Sequence, residues 1–178
     1  RATFTTAGTY VLRLTASDGA LSAMDSVQIT VQPVPPPGAI TVERRIAAGS
    51  DDAEEQASGS MNLTSSDIEM VFDSSTQKDG LRFTNLLIPP GATITRAYIQ
   101  FEAKETHSEL TNLTLQGEAA DHAATFTTSA LNVSSRPRTS AAVSWSPVPW
   151  SVVGETGPNQ RTPDLSAVIQ EILNRPGW

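Results

Sequence analysis

Apolar residues alternate with polar ones in short runs along most of this chain, and only one stretch carries a helical period, which selects an all-β fold. Tyr10, Leu12 and Leu14 alternate, as do Val27, Ile29 and Val31, with Ser17-Asp18-Gly19 opening the turn between them. Further strands are expected at Ile40 to Ile46, at Ser66 to Phe72 and around Gly80-Leu81-Arg82-Phe83. Gly49 to Gly59 reads as an acidic loop, and Pro89-Pro90-Gly91 as a turn, because proline fixes φ and glycine tolerates a positive one. From Ile94 to Ala103 the alternation puts Ala97, Ile99, Phe101 and Ala103 on one face. Leu113 with Leu115 and Val143 with Trp145 mark two more strands. The exception is Leu165, Val168, Ile169, Ile172 and Leu173, spaced for one helix over 163–173 packed on the open end of the sheets. Thr162 is its expected N-cap, Pro163 its first residue, and Arg175-Pro176-Gly177 its stop.

The run Pro33-Val34-Pro35-Pro36-Pro37-Gly38 favours a stiff polyproline conformation and divides the chain. Residues 1–32 hold only two strands with one apolar face, which are marginal alone in water and are expected to be completed by other strands. Residues 39–178 are expected to form an antiparallel β-sandwich, jelly-roll-like, with the single short helix.

Composition narrows the function classes. Twelve Lys and Arg against 19 Asp and Glu give a net charge of −7, which repels phosphate backbones and anionic lipid, so no nucleic-acid partner is expected. No apolar run approaches the roughly 20 residues of a membrane span, so no membrane insertion is expected. The absence of Cys excludes disulfides, thiolate metal sites and a cysteine nucleophile. Abundant Ser, Thr and Ala, with Lys only at Lys78 and Lys104, fit an extracellular protein. No Gly-x-Ser-x-Gly, His-Glu-x-x-His or phosphate-binding glycine loop occurs, and the two histidines, His107 and His122, sit in polar surroundings. A non-catalytic protein is expected. Asp51 and Asp52, with Asp67 and Glu69 beside the next strand, cluster the oxygen ligands that a structural Ca²⁺ prefers, and these four are the candidate metal ligands.

Two resemblances extend this reading. The Gly-x-Tyr-x-Leu spacing at Gly8, Tyr10 and Leu12 resembles the tyrosine corner of an immunoglobulin-like sandwich, which makes residues 1–32 the C-terminal half of such a domain. Gly80-Leu81-Arg82-Phe83, then Ile88-Pro89-Pro90-Gly91-Ala92-Thr93-Ile94 and the alternating strand after it, resemble the DNRLRE-type, carbohydrate-binding-module-like β-sandwich of large secreted bacterial proteins. Val143-Ser144-Trp145 and the Asp164 to Leu173 helix are similar to later parts of that family, in which further strands follow the helix. The resemblance implies a sandwich lacking its final strands and a module that binds polysaccharide or mediates adhesion. Its candidate carbohydrate contacts are Trp150, an aromatic in a proline-rich stretch, and Arg161. A second expectation is a structural subunit of an extracellular filament or assembly, a homo-oligomer completed by β-strand addition from neighbouring subunits.

Overall fold

The computed structural model of the protein describes residues 3–31 and 38–178. The proline-rich linker at 33–38 lies, Gly38 apart, outside the described residues. The chain packs as two units, Arg1–Thr41 and Val42–Trp178.

The first unit is an antiparallel hairpin of β1 (Gly8–Ser17) and β2 (Ser22–Val31). Its register opposes Tyr10 to Ile29 and Leu12 to Val27, so the alternation read from the sequence gathers on one face of the ribbon. The turn closes on Asp18, whose Oδ1 accepts the N–H groups of Ala20 at 2.9 Å and Leu21 at 2.8 Å. Gly19, between Asp18 and Ala20, takes φ +92°, where a side chain would be strained. The Tyr10 hydroxyl donates to the Thr6 carbonyl at 2.7 Å, and its ring packs on Phe4 at 4.7 Å. Leu12, Leu14 and Val27 remain exposed.

The second unit contains a four-stranded sheet ordered β4-β3-β6-β5, from β3 (Asp52–Gln56), β4 (Met61–Asn62), β5 (Phe72–Asp73) and β6 (Ser75–Leu81). A separate pair joins β7 (Leu113–Glu118) to β8 (Arg138–Trp145), with a bulge between Gln116 and Glu118. Every strand pairing is antiparallel and the one α-helix among the described residues is α1 (Ser166–Leu173), so the chain is all-β.

Ala53, Phe126 and Val133 form the core cluster, with Met61 and Leu63 against it. Trp145 is buried, as its alternation with Val143 requires. The helix buries Val168 and Leu173 over β7 and β8, and Gly117 lets it approach: a Cβ there would stand 2.6 Å from Ile172 Cδ1. Two side chains of α1 also bond to the sheet region. Glu171 accepts the N–H groups of Ser140 and Ala141, both at 2.7 Å, and Gln170 accepts from Ile94 and donates to the Ala92 carbonyl.

Four expectations need correction. Gly49 to Gly59 is not a solvated acidic loop, because β3 runs through it with Glu54 and Glu55 buried. No strand forms at Ile40 to Ile46, where Ile40 is exposed and only Val42 and Ile46 are half-buried. Of Ser66 to Phe72 only Phe72 enters a strand, because Val71 takes φ +64° and turns the chain. The helix starts at Ser166, since Thr162 Oγ1 accepts the Ile99 N–H instead of capping, while Asp164 accepts the N–H of Ser166.

Candidate functional site

The extended segment from Ala97 to Ala103 organises the surroundings of both candidate carbohydrate contacts. Its backbone pairs with residues 155–165 through Phe101 N–H to Gln160 O at 2.8 Å, Ala103 N–H to Glu155 O at 2.9 Å and Thr162 N–H to Ile99 O at 3.0 Å. Asp164 and Thr162 side-chain oxygens accept the N–H groups of Ala97 and Ile99, standing in for carbonyls. Only Gln100 and Arg161 make a β-bridge, so the segment is not a regular strand. Its alternation nevertheless holds: Ala97, Ile99, Phe101 and Ala103 are covered while Tyr98, Gln100 and Glu102 are exposed.

Trp150 belongs to the covered side. Its ring lies 6.4 Å from that of Phe101, which stacks at 5.8 Å on Trp145, and its Nε1 donates to the Asn159 carbonyl at 3.1 Å. The backbones of Trp150 and His107 exchange two hydrogen bonds, 2.8 and 2.9 Å. Beside them opens a cleft of about 290 Å³ lined by Thr106, His107, Ser108, Pro149, Trp150 and Ser151. One indole, one imidazole and three hydroxyls line it.

Arg161 belongs to the other side. Its guanidinium carbon lies 4.4 Å from the centroid of Tyr98, over whose ring Arg96 also sits at 5.2 Å, and its Nε donates to Gln100 Oε1 at 2.9 Å. Trp150 and Arg161 therefore pack with residues of opposite phase along one segment, and do not form a single contact surface.

The four candidate metal ligands are also divided. Asp51 is buried and ion-paired with Arg82, whose Nε donates to the Ala123 carbonyl at 2.8 Å. Asp52 and Asp67 line a small recess with Glu54, Asn62 and Ser65, and Asp67 accepts from the Ser66 hydroxyl. Glu69 lies against Glu54 instead. Among the described residues, no group of three or more Asp, Glu or His side chains is arranged to hold a metal ion.

The sequence reading missed the buried carboxyl groups. Burial, then the adjoining Glu69 carboxyl, raises the Glu54 carboxyl to about 7, while Asn62 donates to its other oxygen at 3.0 Å. Burial likewise lifts Asp79 to about 6 against the hydrogen bonds from Val71 and Gln77, with the Glu69 charge adding to the rise. Glu55 goes the other way: burial pushes it up, but bonds from Ser134 and Val133 and the charge of Lys78 outweigh it. Both histidines are exposed, and among the described residues no helix is long and apolar enough to cross a membrane. No protein-family model, curated protein or solved structure matches this chain.

Proposed function

We propose that this chain is a non-catalytic extracellular module that binds polysaccharide, and that its second unit is a jelly-roll-like sandwich of the carbohydrate-binding type. The observation that supports the reading is the Trp150 cleft. Its volume of about 290 Å³ lies at the small end of the range for ligand sites, a scale that suits one sugar ring better than a long chain. An indole offers an apolar face to a pyranose, and the hydroxyls of Thr106, Ser108 and Ser151 with the imidazole of His107 can exchange hydrogen bonds with sugar hydroxyls. Arg161 takes part in this reading only as a separate contact, because it faces Tyr98.

Affinity electrophoresis of the full chain through gels containing neutral polysaccharides tests it. At least one polymer should retard the protein, and Trp150→Ala should abolish the retardation while Trp150→Phe keeps part of it. Equal mobility of the parent and Trp150→Ala in every gel overturns the cleft as the site.

The hairpin supports a second reading, that of a subunit completed by strands from neighbouring copies. Leu12, Leu14 and Val27 present exposed apolar surface on a two-stranded ribbon, an arrangement that templates strand addition. Light scattering behind size exclusion decides it: oligomers that dissociate on dilution support the reading. A monomer with protected amides across β1 and β2 overturns it.

A further inference from the structure

We propose that the Trp150 cleft takes an amino sugar, with the ammonium group held between the Glu109 carboxylate and the Trp150 indole. The inference rests on the polysaccharide reading and adds to it the charge of the sugar unit. It starts from the pairing of two segments. The backbones of His107 and Trp150 exchange two hydrogen bonds as an isolated antiparallel bridge, and residues paired in this way project their side chains to the same side. Imidazole and indole are therefore neighbours, and both line the cleft. Glu109 stands beside them, with its Oε2 at 3.3 Å from His107 Nε2.

Glu109 supplies the negative charge. Its side chain is 77% exposed, and its one ion pair among the described residues uses Oε2. The Thr111 hydroxyl donates to the Glu109 carbonyl at 3.3 Å and not to the carboxylate. Oε1 is thus open to a donor, on a group that offers about four lone-pair sites in all. The walls of the cleft carry no Lys or Arg, so no fixed cation there competes for the carboxylate. An ammonium set over an indole is attracted by the quadrupole of the ring, and tryptophan is the side chain that does this best. The hydroxyls of Thr106, Ser108 and Ser151 remain for the neutral hydroxyls of the same sugar. At longer range, a net charge of −7 draws a polycation towards the chain, for the reason that it repels a polyanion. An acetamide in place of the amine carries no charge to engage either the carboxylate or the ring, so the cleft tells the two apart.

The test is calorimetric titration of the full chain, in mildly acidic buffer at low and high salt, with a glucosamine oligosaccharide and with its N-acetylated form, which is neutral. The amine should bind more tightly than the acetylated sugar, and salt should weaken the amine alone. Glu109→Gln should cost the amine about tenfold or more and leave the acetylated sugar unchanged, as loss of a charge-assisted pair predicts. Equal binding of the two forms, abolished by Trp150→Ala, overturns the assignment to an amine and leaves the polysaccharide reading standing. Tighter binding of the amine that survives Glu109→Gln reports attraction to the net charge of the chain, and overturns the site. If neither form binds while a neutral polymer retards the protein, this proposal falls alone. If neither form binds and no polymer retards it, both proposals fall.

Discussion

Glu54 on β3 and Glu69 in the connection from β4 to β5 set their carboxyl groups against each other, and Glu54 Oε1 and Glu69 Oε2 are both buried without a hydrogen-bond donor from the protein. Two ionised carboxylates repel one another there, so the arrangement favours one shared proton. Asp79, opposite Glu54 in the β3–β6 register, adds a third acidic group to the same place.

Stability should therefore depend on pH with a sign unusual for an acidic protein. Glu54 and Asp79 hold their protons more tightly folded than unfolded, with values of about 7 and about 6 against ordinary carboxyl values of 4.5 and 3.8. Their contribution is complete below the unfolded values and is lost as pH rises through 6 to 7. Glu55, Asp164 and Glu171 act oppositely: their folded values are depressed, so their contribution is lost in acid. Urea midpoints should fall between about pH 5 and about pH 8. A midpoint that rises over that interval would refute the shared proton.

Glu54→Gln removes one charge from the pair and supplies an amide donor for Glu69. Above neutral pH the variant should be more stable than the parent by about 1–3 kcal/mol, the scale of an unsatisfied buried polar group. Near pH 5, where the parent pair is already protonated, the gain should largely vanish. Denaturant curves at the two pH values measure the difference.

Glu55→Ala should be among the most damaging changes outside the core. Glu55 Oε2 accepts from Val133 at 2.8 Å and from Ser134 at 2.7 Å, in a side chain that is buried. Removing it strands those two N–H groups, at about 1–3 kcal/mol for each buried group left unsatisfied. Hydrogen exchange should show loss of protection at Val133 and Ser134 first.

Gly80→Ala should destabilise by overpacking, about 1–3 kcal/mol. A Cβ at this position would stand 2.5 Å from Phe126 Cζ and 3.0 Å from Val133 Cγ2, inside the core cluster. Gly91→Ala is the comparison with open space around it, although its φ of +78° carries its own strain. A thermal melt of Gly80→Ala indistinguishable from the parent would show that Phe126 can move aside.

The sequence by itself determined which side chains face inward wherever the covered face is apolar. Ala97, Ile99, Phe101 and Ala103 are covered, Trp145 is buried, and Leu165, Val168 and Leu173 line the inner stripe of the helical segment, because alternation and helical period are local properties of the chain. The hairpin and its turn at Asp18 were legible for the same reason. The carboxylates were not. Glu55 read as solvated because its cost of burial is met from far along the chain, by Val133 and Ser134, which lie 78 and 79 residues away, and Glu54 because its burial is left partly unmet, with Oε1 lacking a donor. Tertiary structure alone likewise turned Arg161 towards Tyr98 and Trp150 towards Phe101, placing them with opposite faces of one segment. Local patterning sets the phase of a segment, but only the fold decides which segment lies against it, and with it the donors, charges and rings that each side chain meets.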